Sequence, residues 1–156
     1  MMQMSVGVLL PFPDAPPPRF PDLEGNDPAR ESLDAARPLR VIVVDDESRI
    51  ASTLVEILKG EGFDARSAST GDDALDLARE FDPDVVLSDV IIPGINGIEV
   101  GIQISQLFPK CRVILFSGQA ATLDLLREAR NRGHHFEILA KPIKPAALLA
   151  IIRDAR

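Results

Sequence analysis

Asp45-Asp46, Asp89, Ser117 and Lys141 stand at the carboxyl ends of four apolar runs: the β-branched "LRVIVV" (39–44), "VVLS" (85–88), "RVILFS" (112–117) and "FEILA" (136–140). A carboxylate at the end of an apolar strand costs desolvation energy unless something there uses it. If the runs are parallel strands of one sheet, their ends share an edge, and three carboxylates crowd together beside a hydroxyl and an ammonium. Carboxylates at short range repel, and at least one pKa rises unless a cation is present. An oxygen-only, highly negative set suits Mg²⁺, which keeps several waters and usually works beside phosphate. One Lys cannot neutralise three acids, whereas a divalent ion together with the ammonium can. The chemistry implied is phosphoryl handling: a carboxylate nucleophile, a metal to spread charge, and Lys and Ser on the equatorial oxygens.

The elements that must position these groups follow from apolar spacing. "SRIASTLVEILKGEG" (48–62) places Ile50, Leu54, Ile57 and Leu58 at helical intervals, with Gly60 or Gly62 to end it. "FDARSA" (63–68) alternates like a strand. "TGDDALDLAREF" (70–81) opens with a Thr cap followed three residues later by Asp73. Residues 97–109 read as a helix that stops at Pro109, 122–133 as a helix with a terminal Gly, and 145–156 as a last helix. Five strands therefore alternate with five helices. Strands apolar on both faces and separated by helices require a parallel sheet covered on each side, an α/β doubly wound five-stranded architecture. In such sheets chemistry collects at the carboxyl ends of the strands.

Residues 1–38 differ from the rest and hold eight of the 13 prolines, including "PFPDAPPPRFP". Such a stretch prefers polyproline II or coil and buries too little to offset ordering entropy. The expectation is a disordered N-terminal tail at 1–38, with a short helix over 29–37 or a docking use of "PPPRF" as weaker readings, and one folded domain at 39–156. The net charge of −7 offers no basic footprint for a nucleic-acid backbone. The single Cys111 cannot form an intramolecular disulfide and reads as a small core hydrophobe. No apolar segment approaches the about 20 residues of a membrane span, and no signal peptide is legible. No membrane insertion and a cytoplasmic location are expected.

Taken in order, "VVDDE", "SDVIIPGINGIEV", "LFSG" and "LAKP" resemble the receiver (response regulator) domain of two-component signalling over residues 39–156. The Asp-x-x-x-Pro-x-x-x-Gly pattern of that family is met by Asp89, Pro93 and Gly97. The resemblance implies a flavodoxin-like fold. It makes Asp89 the phospho-acceptor, attacking a phosphohistidine of a sensor histidine kinase or phosphotransfer protein. Asp45, Asp46, Asp89 and the backbone carbonyl of Ile91 become the Mg²⁺ ligands. Ser117 bonds a phosphoryl oxygen, and Lys141 pairs with Asp89 before modification and with the phosphate after it, preceding a Pro142 whose peptide bond is typically cis. Such a domain is not an enzyme beyond its own phosphoryl transfer and dephosphorylation.

The chain departs from the common patterns of the family at three positions. The aromatic that usually stands three residues before the Lys is replaced by Ile138, and the nearest aromatic is Phe136. The apolar Ile91 and the neutral Gln119 occupy positions that tune phosphoryl lifetime in the family, and His134-His135 reads as solvated loop. With no output module read after Arg156, the expectation is a single-domain regulator. It would signal by phosphorylation-dependent binding to a downstream protein, with a phosphorylation-dependent homodimer as a further partner class. The alternative is a non-phosphorylated receiver-like interaction module. A phosphatase of similar sheet type would need a second acid at position 91, and a nucleotide or flavin carrier a phosphate-cradling first loop where "DDESR" is acidic.

Overall fold

The computed structural model describes residues 37–118 and 122–154. Five strands run parallel in the order β2-β1-β3-β4-β5: β1 (Arg40–Val44), β2 (Asp64–Ala68), β3 (Val85–Asp89), β4 (Arg112–Ser117) and β5 (Glu137–Ala140). Every residue of β3 is buried, as are all of β1 and β4 beyond their first residues. That is what near-continuous Val/Ile/Leu runs require when both sheet faces are covered. The edge strands β2 and β5 bury far less.

Five helices cover the sheet: α1 (Ser48–Gly60), α2 (Gly71–Phe81), α3 (Gly97–Leu107), α4 (Thr122–Asn131) and α5 (Pro145–Arg153). One layer packs α1 and α5 against Val41, Val43, Val85, Leu87, Ile114 and Phe116. The other packs α2, α3 and α4 against Ile42, Val44, Val86, Val113 and Leu115. The alternation of neighbouring strand residues between the two layers is the period of two that any strand imposes. The doubly wound α/β sheet expected from the pattern of runs is the fold observed.

Several ends move inward from their expected positions, each for a local reason. The first helix closes at Gly60, and the chain turns through Gly62 at φ +92°. The third stops at Leu107, because Phe108 precedes Pro109 and is pushed out of helical geometry, to ψ 78°. The fourth ends at Asn131 before Gly133 at φ +87°, and the fifth at Arg153. Thr70 caps α2 as expected, its hydroxyl accepting the Asp73 N–H at 3.1 Å, and Asn96 caps α3 by accepting the Glu99 N–H at 2.9 Å.

The tail expected at 1–38 and the helix at 29–37 lie outside the described residues, apart from Arg37 and Pro38. The Arg37 guanidinium donates to both carboxylate oxygens of Asp84, at 2.8 and 3.0 Å, while Asp84 also accepts the Arg40 N–H. The chain is thus tied to the amino-terminal edge of the sheet as β1 begins.

Candidate functional site

Register brings the expected site together. Val44 lies opposite Ser88, Asp89 opposite Phe116, and Ser117 opposite Ala140. Asp45, Asp89 and Lys141 therefore follow or end their strands at nearly one level. The ladder continues just past the strand ends, with Asp45 N–H donating to Ala68 O, Val90 N–H to Phe116 O and Lys141 N–H to Ser117 O, at 3.1 to 3.2 Å. Asp45, Asp89 and Lys141 share the parity of Val43, Leu87 and Leu139, so their side chains rise from the α1/α5 layer.

The carboxylates of Asp45, Asp46 and Asp89 each offer an oxygen within 4.8 Å of the others. Asp45 and Asp89 are buried, at 1% and 6% exposure, while Asp46 faces solvent. Lys141 Nζ donates to Asp89 Oδ2 at 2.7 Å and lies 3.8 Å from Asp45 Oδ2. Asp89 Oδ1 accepts the Ile91 N–H at 3.1 Å, and Asp45 Oδ1 the Glu47 N–H at 2.9 Å.

The electrostatics show a site short of positive charge. Burial pushes the Asp45 carboxyl above its usual range. The Glu47 N–H and the Lys141 charge oppose that shift, and the neighbouring Asp89 and Asp46 add to it. Burial pulls Lys141 down, but the hydrogen bond and charge of Asp89, with Asp45 and Glu47 behind them, outweigh it and leave the ammonium held more firmly than usual. Asp45 Oδ2 is buried and accepts no hydrogen bond. A buried, orphaned carboxylate oxygen beside two further acids is the donor set a hard divalent cation takes, so the residues present fit a metal ion.

The remaining expected residues fall around this cluster. Ser117 ends β4 and is buried, one residue beyond the partner of Asp89. Ile91 sits in the loop after β3, 39% exposed at the mouth of the site. Lys141–Pro142 is a cis peptide. Gln119 lies outside the described residues. Phe136 packs against Gly101 of α3 and Val113. It precedes β5 where Lys141 follows it, and five residue steps across the four-residue strand separate them by about 16 Å. It therefore stands away from the site, and Ile138, 42% exposed, is the side chain at the position where the family carries its aromatic.

Two contributors escaped the sequence reading. Phe116 lies with its ring centroid 5.2 Å beneath the Lys141 ammonium. Its signal was parity, since it opposes Asp89 on the same face, but that is legible only once the register is known. Glu47 contributes its backbone N–H to an Asx-type turn on Asp45, which "DDE" after a strand would have suggested.

Comparison with known proteins agrees with this arrangement. A family model described as the response regulator receiver domain matches residues 41–153. The DNA-binding response regulator MtrA of Mycolicibacterium paratuberculosis is 33% identical over 114 residues, covering 73% of this chain and 49% of that protein. The chain thus spans about half the length of the curated relatives it matches. Among solved structures, the signal receiver domain of an HD domain-containing protein from Pseudomonas fluorescens Pf-5 superposes with a TM-score of 0.70 at 28% identity, covering 77% of this chain and 88% of that one. A CheY-like receiver domain protein from Methanospirillum hungatei JF-1 superposes with a TM-score of 0.68 at 24% identity, covering 75% and 92%. The chain belongs to the response regulator receiver domain family of two-component systems, in which phosphorylation and Mg²⁺ are typical.

Proposed function

We propose that Asp89 accepts a phosphoryl group from a phosphohistidine of a sensor histidine kinase or phosphotransfer protein. The observation that carries this reading is the Asp89 carboxylate itself. It is nearly buried, bonded to Lys141 Nζ at 2.7 Å and grouped with the oxygens of Asp45 and Asp46. A carboxylate oxygen of Asp89 attacks phosphorus as the P–N bond breaks, the nitrogen lone pair returns to the imidazole, and an acyl phosphate forms. Lys141 then exchanges its carboxylate partner for a phosphoryl oxygen, and Ser117 supplies a hydroxyl donor from the neighbouring strand end. Asp45, Asp46, Asp89 and the Ile91 carbonyl would hold Mg²⁺, which supplies charge stabilisation to the transferring group. Asp45 Oδ2, buried without a donor, is the oxygen most in need of that ion.

The output proposed is phosphorylation-dependent binding of a downstream protein, with homodimerisation as one form of it, in the cytoplasm. The net charge of −7 favours protein over nucleic-acid contact. Intact mass after incubation with acetyl phosphate and Mg²⁺ tests the acceptor, comparing wild type with Asp89→Asn. The expected result is a gain of one phosphoryl mass, abolished by chelator and absent from the variant. Equal gain in the variant would move the acceptor elsewhere. No gain from either acetyl phosphate or a phosphorylated kinase would refute the reading.

A further inference from the structure

Within β3, "VVLSD", the one polar side chain before the acceptor is Ser88, and it is wholly buried. Its row, between Val44 and Leu115, points into the α2/α3/α4 layer, where the neighbours are Val44, Val86, Val90 and Leu115. A hydroxyl in such a layer costs free energy unless it is hydrogen-bonded, whereas Ala or Val would bury without that cost. Ser88 Oγ donates to the carbonyl oxygen of Asp89 at 2.9 Å. The pairing of β3 with β1 stops at Ser88, and the Asp45 N–H is directed to Ala68 on the other side.

The carbonyl that Ser88 holds belongs to the same peptide unit as the Val90 N–H, which donates to Phe116 O at 3.1 Å. That unit is therefore gripped at both ends, by β4 through its N–H and by Ser88 through its C=O. The first residue of α3 presses on the same oxygen, so that a Cβ at Gly97 would stand 1.9 Å from it. The loop closes back through Gly97 N–H to Val90 O at 2.8 Å, and the Ile91 N–H binds Asp89 Oδ1. The orientation of the acceptor carboxylate is set by this frame.

We propose that Ser88 is a positioning residue for phosphoryl transfer: its buried hydroxyl fixes the 89–90 peptide unit and so aims the Asp89 carboxylate. This rests on Asp89 being the acceptor. The test follows phosphoryl gain by intact mass, with acetyl phosphate over a Mg²⁺ titration, well below the melting transition. The proteins are wild type, Ser88→Ala, Ser88→Cys (nearly isosteric but a weak donor) and Ser88→Thr (hydroxyl retained). The maximal rate at saturating Mg²⁺ is expected to fall roughly three- to tenfold in the Ala and Cys variants, as small misplacements of a reacting group do. The Mg²⁺ midpoint stays within twofold, Ser88→Thr recovers the rate, and deuterium exchange at the Ile91 amide quickens in the two slow variants.

Rates within twofold of wild type for both Ala and Cys would overturn the positioning role and leave Asp89 as acceptor. So would a folded Thr variant as slow as Ala. A wild type that gains no phosphoryl group while folded would instead remove the acceptor reading, and the role of Ser88 with it.

Discussion

Gly97→Ala is the substitution on which the geometry speaks most plainly. A Cβ at Gly97 would lie 1.9 Å from the Asp89 carbonyl oxygen, 2.8 Å from its carbon and 2.9 Å from the Val90 Cα. All three are backbone atoms, so no rotamer change relieves the clash. To reach the 3.0 Å that real Cβ atoms essentially never cross, α3 and the end of β3 must separate by at least 1.1 Å along the shortest contact. The displaced oxygen is the one that Ser88 binds, in a region where β3 is wholly buried. Overpacking by side chains costs about 1–3 kcal/mol. Moving a buried strand end and loosening its hydrogen bonds puts this substitution at about 3 kcal/mol or more. Ala is the better helix former by about 1 kcal/mol, so propensity does not rescue it. Gly60→Ala is the control: it ends α1, is exposed, and has nothing within 4 Å of the added carbon. It should stabilise by about 0.4–1 kcal/mol through the unfolded state. Urea unfolding followed by far-ultraviolet circular dichroism separates the two. A Gly97→Ala protein within 1 kcal/mol of wild type, at unchanged slope, would refute the claim that this glycine sets the approach of α3 to the end of β3.

Two further outcomes follow from the electrostatics. Burial raises the Asp45 pKa in the folded state, so the folded protein holds that proton more tightly than the unfolded chain, and ionisation of Asp45 weakens the fold. Asp45→Asn should therefore raise Tm at neutral pH without divalent ions. The advantage should fade as pH falls through the raised value towards the unfolded one near 3.9, and wild type should gain more Tm than the variant on adding Mg²⁺; thermal melts across pH read all three, and an Asn variant less stable at pH 7 would contradict them. The Cys111 thiol is pushed up to about 12 by burial, with Asp84 and Asp82 adding to it. Its thiolate fraction at pH 8 is then about 10⁻⁴, and iodoacetamide labelling should run about three orders of magnitude slower than in urea; labelling at similar rates would show the thiol to be accessible and ordinary.

What could be read from the chain without coordinates was what depends on runs. "RVIVV", "VVLS" and "RVILFS" carry too many buried-type residues in a row to be anything but central strands, and the acids at their ends were conspicuous because the runs are so apolar. The parts that escaped depend on register and distance. Ser88 reads in sequence as the frayed end of a hydrophobic run, and its use appears only when its hydroxyl is found 2.9 Å from the next carbonyl. Phe116 reads as one more core residue until the β3–β4 pairing sets it opposite Asp89. Phe136 reads in sequence only as the aromatic nearest to Lys141, and its place appears only against Gly101, whose lack of a side chain leaves room for its ring.

The two edges of the site are built to different tolerances, and the difference suits the chemistry. The acids grow from β1 and β3, whose residues are buried on both faces and which each have a strand on either side. Their carboxylates are further tied by the Glu47 and Ile91 N–H groups. The ammonium comes instead from the end of β5, an edge strand that is mostly exposed, on a side chain with 26% of its own surface open. A nucleophile must be held still to meet phosphorus in line, so it belongs on the buried strands. A cation that leaves a carboxylate for a phosphoryl oxygen must travel a short distance, which a long flexible stem at a loosely packed edge permits. Under the proposed transfer, the position of Lys141 therefore reports more than charge balance: the carboxylates stand on strands that hold them still, and the ammonium on one that lets it move.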